Sequence, residues 1–305
     1  MRRRYFAIAI AALATSCGAP SAPSAPGRDA HEHGPARATV ARKVVITIDD
    51  LPLADFERYP TDALRHECVA RFTSLLKARS VPTTGFFNMS NHERAPSLLS
   101  LWQSVGMQLG NHTWSHPALA KVGLEAYLAD LERGHHAVAA VVPNGAAIPF
   151  RYPFLAEGFV PSERDRIRGK IAELKSVVAP VTIDTSDWLY ARGYLDATKA
   201  GDQALRDRYR QSWLWNLQES TIIAEFLSRQ LFDREPPQIL LVHGNLLNAD
   251  HFGQYLDWLK SRGYTFVPLA EALADPAYHE DDVATSPTGD SHWLRLMRSR
   301  DARAH

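Results

Sequence analysis

The sequence predicts an α/β fold whose parallel sheet closes into a distorted barrel, and three observations predict it. Short aliphatic runs alternate with amphipathic helical stretches along the chain, the pattern of strand–helix units built on a parallel sheet. Acids and histidines stand directly after several of those runs, at the C-terminal strand ends where such barrels gather their active sites. The stretch from residue 42 onward is long enough for one large domain with a substantial core.

Taken in order, Lys43–Ile48 is a β-branched run ending at Asp49 and Asp50. A helix over 62–79 carries apolar residues at 64, 68, 72, 75 and 76, which makes Cys68 a small core hydrophobe. A second strand over 81–88, a helix over 95–106 closed by Gly106, and a short strand over 107–109 follow. After Gly110 comes Asn-His112-Thr-Trp-Ser-His116, then a helix over 123–141. Ala147–Phe150 leads into Arg151, Ser176–Ile183 leads into Asp184–Trp188, and Gln238–Val242 is the clearest buried strand, with His243 next. A helix over 252–262, a strand over 264–267 and a helix over 269–274 complete the domain. Residues 42–280 are therefore the folded body, and 281–305 a loose polar tail.

The first residues read as export machinery. Met1-Arg-Arg-Arg4 precedes a short apolar run, Tyr5–Ala14, too short to span a bilayer but suited to a signal-peptide core. Leu13-Ala-Thr-Ser-Cys17 resembles a lipoprotein box, so residues 1–17 are expected to be a signal peptide with Cys17 lipidated. Residues 18–41 are rich in Pro, Ala and Ser and read as a tether; His31 and His33 within it are solvated. The chain is thus expected at a cell envelope, held to a membrane by an N-terminal lipid. With Cys17 committed, Cys68 has no disulfide partner. Lys+Arg and Asp+Glu are equal at 34 each, with no basic block in the body, which excludes nucleic acid as a partner on electrostatic grounds.

His112 and His116 are spaced i, i+4, so on one helical turn both imidazoles face the same way and share one cation. A carboxylate from elsewhere completes a three-ligand site. A gluzincin-type protease is disfavoured because Thr113, not Glu, follows His112. Asp49 and Asp50 are neighbours at a strand end, where adjacent side chains diverge, so one can bind metal while the other accepts a proton.

Together these segments resemble the polysaccharide deacetylase family, also called the NodB-homology or carbohydrate esterase 4 family. Its five motifs stand in order as Thr47–Asp50, His112–His116, Arg151–Phe154, Asp184–Trp188 and Leu241–His243. The resemblance implies a seven-stranded distorted (β/α) barrel that removes N-acetyl groups from polysaccharide, peptidoglycan N-acetylglucosamine or a chitin-like glycan. It implies Asp50, His112 and His116 as ligands of one divalent metal, zinc first, with cobalt, nickel or manganese as substitutes. Asp49 is then the general base and His243 the general acid, with Arg151 orienting Asp49 and Asp187 supporting His243. Trp188 and Leu241 shape the pocket for the acetyl methyl, and the Phe154 N–H helps hold the oxyanion. Three positions depart from the family pattern: Leu51 stands where Gly is usual, Ile48 for Phe, and Phe154 for Tyr. The alternatives are an O-acetyl xylan esterase, a small amide or imide hydrolase, and a non-catalytic glycan-binding homologue. The long stretch 190–217, with Tyr209, Trp213 and Trp215, is expected to be an extra amphipathic helix, with a sugar-stacking platform as the other reading.

Overall fold

The computed structural model describes residues 42–287 and 289–304. The expected signal peptide, Cys17 and the tether lie outside the described residues. The first strand, β1 (Arg42–Leu51), is buried along most of its length and carries the sheet. It is followed by α1 (Asp62–Ala78), β2 (Thr83–Phe87), α2 (Met89–Arg94), α3 (Pro96–Gln103) and β3 (Gln108–Asn111). Then come α4 (Leu119–Val122), α5 (Leu124–Ala139), α6 (Pro161–Glu173), β4 (Ile183–Asp184), α7 (Asp187–Ala200) and α8 (Gln203–Phe232). The last elements are β5 (Gln238–His243), α9 (Leu246–Ser261), β6 (Tyr264–Phe266), α10 (Leu269–Leu273) and α11 (His292–Ala304).

The strands pair in parallel in the order β3-β2-β1-β5-β4, with β6 on β1. Both faces are covered by helices, so the strands read as continuous apolar runs, not as alternating ones. Among the described residues six strands pair, one fewer than the resemblance implies, and at 147–150 the pairing is reduced to one residue. Phe150 bridges Asn111 on one side and Val178 on the other. The physical reason is Pro149: it offers its carbonyl to Asn111 N but has no N–H to extend a ladder. Pro180 shortens the next strand in the same way, leaving β4 two residues long.

Leu51 ends β1 and pairs with Phe87 after a shift in the β1–β2 register between Ile48 and Leu51. Its side chain fills the space over Gly85 and Gly244, where an added Cβ would stand 2.5 and 2.8 Å from it. Two glycines on neighbouring strands thus accommodate one larger residue. Cys68 is buried and unpaired, as expected.

The C-terminal tail is corrected. Residues 292–304 form α11, and Trp293 is fully buried. Its ring meets Phe232 edge-on at 5.4 Å, and its Nε1–H donates to Gln238 Oε1 at 2.9 Å. Arg295 is buried too, paired with Glu157 at 2.6 Å and Asp282 at 2.8 Å. The many arginines of this segment made it look solvated, yet one face is apolar and the buried cation is satisfied.

Trp293→Ala is therefore expected to lower the unfolding free energy by about 3–5 kcal/mol in a denaturant titration, the cost of a large buried aromatic. A loose tail would leave the midpoint unchanged.

Candidate metal and acid–base site

The site forms where β1 and β5 end. Parallel register sets Asp49 directly beside His243, so an acid and an imidazole from distant sequence stand on adjacent strands. Asp49 continues the extended strand and is buried, whereas Asp50 turns into the left-handed region at φ 57°. The two carboxylates diverge for that reason.

Asp49 faces a buried arginine. Arg151 Nη1 is 3.3 Å from Asp49 Oδ2, its Nη2 donates to Thr47 Oγ1 at 3.0 Å, and its Nε donates to the Ala179 carbonyl at 2.8 Å. Asp49 Oδ1 is buried and has no protein partner. Burial raises the Asp49 pKa to about 6, with Arg151 and His243 opposing the shift.

Asp50 turns toward the histidines. Its Oδ1 lies 3.3 Å from His116 Nε2 and 3.7 Å from His112 Nε2, and one donor atom from each residue fits within 4.8 Å. His112 Nδ1–H donates to the Arg151 carbonyl at 2.8 Å, which fixes the tautomer and leaves Nε2 unprotonated toward Asp50. Burial and the neighbouring His116 depress the His112 pKa to about 3, so the ring is neutral. Two imidazole nitrogens and a carboxylate oxygen suit a divalent metal of zinc type, and the residues fit the expected group.

The expected helical turn at 112–116 is not there. Residues 112–116 form a loop in which Thr113 (φ 67°) and His116 (φ 56°) are left-handed. The loop is held by Asp130 of α5, whose Oδ1 accepts from Trp114 N and Ser115 N at 2.8 and 2.9 Å. Asn111 Oδ1 accepts from Thr113 N at 2.9 Å. Gly134 of α5 lets the loop approach, since an added Cβ would stand 2.4 Å from the Thr113 carbonyl carbon. Packing against a helix therefore converges the histidines, in place of helical periodicity.

Across the cleft, His243 Nδ1–H donates to Asp187 Oδ1 at 2.6 Å. Asp187 opens α7 and is fully buried. Its Oδ2 accepts from Asn245 Nδ2 at 2.9 Å, Asn248 Nδ2 at 2.6 Å and the His243 N–H at 3.1 Å. Burial alone would lower the His243 pKa, but the Asp187 charge and hydrogen bond, with Asp50 and Asp49, raise it to about 10. Its Nε2 reaches to 4.0 Å from Asp50 Oδ2. Asn245 and Asn248 were not anticipated. The readable signal was the cap: Asn245 starts α9 by accepting from Asn248 N, ahead of the helix start expected at 252.

Phe154 adopts φ 58° and ψ 16°, and its exposed ring meets the His116 ring edge-on at 4.5 Å. Trp188 is partly exposed beside Asp187, with the Arg192 guanidinium 4.9 Å over its ring. Leu241, two residues before His243, is buried with Leu155 and Val181. Of the aromatic stretch in α8, Trp213 is fully buried and Trp215 is exposed, so the extra-helix reading holds and the two tryptophans do not form one platform.

The polysaccharide deacetylase family model matches residues 36–164, a span holding Asp49, Asp50, His112, His116, Arg151 and Phe154. A peptidoglycan-N-acetylglucosamine deacetylase of Bacillus cereus is 34% identical over 85 residues, covering 28% of this chain and 26% of that protein. This chain therefore matches only about a quarter of that relative's length. Among solved structures, a polysaccharide deacetylase of Bacillus cereus aligns with a TM-score of 0.53 at 18% identity, over 74% of this chain and 91% of that one. A carbohydrate esterase 4 pseudoenzyme of Bacillus anthracis aligns with a TM-score of 0.53 at 17% identity, over 76% and 66%. Residues 36–164 thus match the polysaccharide deacetylase family, and the fold is similar to that of the NodB-type deacetylase barrels.

Removing the Asp187 charge isolates its effect on the imidazole. In metal-free Asp187→Asn protein, Asp50 and Asp49 alone oppose burial, and the His243 pKa is expected to fall from about 10 toward its ordinary value near 6.5. Histidine resonances followed by NMR across a pH titration measure this. A value remaining near 10 would show that Asp187 is not what holds the proton.

Proposed function

We propose that the chain is a metal-dependent hydrolase that removes acetyl groups from N-acetylated sugars of an envelope polysaccharide, peptidoglycan N-acetylglucosamine first. The observation that carries this reading is the register of Asp49 beside His243, with the Asp50, His112 and His116 donors gathered alongside. Base, acid and cation cradle then converge on one small volume.

A divalent cation held by Asp50, His112 and His116, zinc first, would supply Lewis-acid polarisation of the amide carbonyl and acidification of water. The chain's own residues do the rest. Asp49 accepts the proton of the attacking water: its unpartnered Oδ1 is available, and a pKa of about 6 matches a base working near neutrality. Arg151 keeps that carboxylate aimed. His243 is protonated at neutral pH and delivers its Nε2 proton to the departing nitrogen, without which an amine is a poor leaving group. The Phe154 N–H donates to the carbonyl oxygen as its charge develops. Trp188 and Leu241 bound the space for the acetyl methyl.

The fold alone does not carry activity, since a solved relative is described as a pseudoenzyme. Here each proposed ligand and proton carrier is present in position, which favours hydrolysis over a purely glycan-binding role. The signal-like segment 1–17 supports placement at the envelope, where such a glycan lies.

The test is acetate release from a panel of peptidoglycan, chitin oligosaccharides and acetylated xylan, with and without chelator. Metal-loaded protein is expected to release acetate from N-acetylated glycans, chelator to abolish release, and Asp49→Asn to lower the rate by roughly 10²–10⁴-fold, the span of general-base catalysis. No release from any N-acetylated glycan would overturn the reading. Release from xylan alone would redirect it to an O-acetyl esterase.

A further inference from the structure

The outer ridge of α8 has an unusual composition. Its inward face, including Trp213, Leu217, Thr221, Ala224 and Ser228, is buried against the domain. On the opposite side Trp215 is 62% exposed, Ile222 48%, Ile223 51% and Phe226 60%. Spacings of seven, eight and eleven residues put these four on one arc of the helix, a strip roughly 16 Å long. Exposed Arg208 and Arg229 stand at its two ends, and Glu219 is the one charged side chain between Trp215 and Ile222. Single exposed apolar residues are ordinary, but a continuous strip marks a contact surface.

The place where the chain enters the domain indicates what covers it. Arg42, the first described residue, is fixed to the α8 end of this strip: its Nη1 is 3.2 Å from Glu225 Oε1, beside Phe226 in sequence, and its Nε is 2.8 Å from Glu235. Arg42 therefore stands at the Phe226 end of the strip. The sequence before it holds Cys17, the expected lipidation site, and the Pro/Ala/Ser-rich stretch 18–41.

We propose that the Trp215–Ile222–Ile223–Phe226 face of α8 rests on a lipid bilayer, in the headgroup region. Trp and Phe suit an interfacial helix face, with Arg208 at one end as the cation that reaches the headgroups, Arg229 being paired with Glu235. Glu219 keeps the strip at the interface, short of the hydrocarbon. A second copy of the chain fits less well. Half-exposed side chains of this size offer on the order of 400 Å², about half the roughly 800 Å² per partner of a stable interface. Asn216, next to Trp215, donates to the Thr185 carbonyl, so the Trp215 end of the strip lies toward the catalytic end of the sheet and the Phe226 end toward Arg42. This inference does not depend on which glycan, if any, is hydrolysed.

The test uses the full chain reconstituted into phosphatidylethanolamine–phosphatidylglycerol vesicles with brominated acyl chains, which quench tryptophan only at close range. Quenching is expected in the wild type, and Trp215→Phe, which keeps the face apolar, is expected to float with the vesicles but lose most of that quenching. Ile222→Ser with Phe226→Ser, both outward-facing, is expected to keep the circular dichroism spectrum and lose the quenching of Trp215. Failure of the full chain to float with vesicles, or quenching unchanged by Trp215→Phe, would overturn the proposal. A vesicle-independent dimer that protects Trp215 would overturn it in favour of a second copy.

Discussion

The site depends on one buried guanidinium. Removing an arginine from water costs several kcal/mol unless its donors are met, and Arg151 is met by Asp49, Thr47 and the Ala179 carbonyl. Its own carbonyl receives the Nδ1–H of His112, and its N–H donates to Asn111. One residue thus ties Asp49 on β1, His112 after β3, and the irregular segment at 149–151. A lysine would keep the charge but not the fork that reaches three acceptors.

Around that tie the two adjacent aspartates become chemically unlike. Asp49 stays in the strand, buried, with its charge opposed by burial and supported by Arg151. Asp50 leaves the strand in a left-handed conformation and meets the imidazoles of His112 and His116. Left-handed residues recur at Thr113, His116, Phe154 and Ser186, each flanking a functional group. Such conformations cost on the order of 1–3 kcal/mol each and persist where surrounding contacts impose them. Asp130, Asn111 and the close approach allowed by Gly134 are those contacts for the histidine loop.

Much of this was legible in the sequence because the reacting groups end apolar runs. Asp49, Asp50, His243 and the Asp184–Trp188 group could be placed at strand ends from hydrophobicity alone, and the motif order then assigned their roles. The histidine spacing pointed to the right pair for the wrong reason. A four-residue interval suggests a helix, while the real convergence comes from a loop clamped to α5, and no local pattern encodes a clamp supplied eighteen residues later. The supports of Asp187 were missed because Asn245 and Asn248 read as ordinary polar residues after a strand. The C-terminal helix was missed because its arginines outweigh Trp293 and Leu296 in any average, although Arg295 is itself buried. The seventh strand failed at Pro149, whose missing N–H was visible but whose carbonyl-only pairing was not foreseen.

The central claim is the division of labour within the aspartate pair, and X-ray absorption at the metal edge of zinc-loaded protein tests it most directly. The account predicts two histidine nitrogens at about 2.0–2.1 Å and a carboxylate oxygen at about 2.0–2.2 Å, with this carboxylate signal lost in Asp50→Ala and retained in Asp49→Ala. Loss of the carboxylate ligand in Asp49→Ala, with Asp50→Ala unchanged, would contradict it.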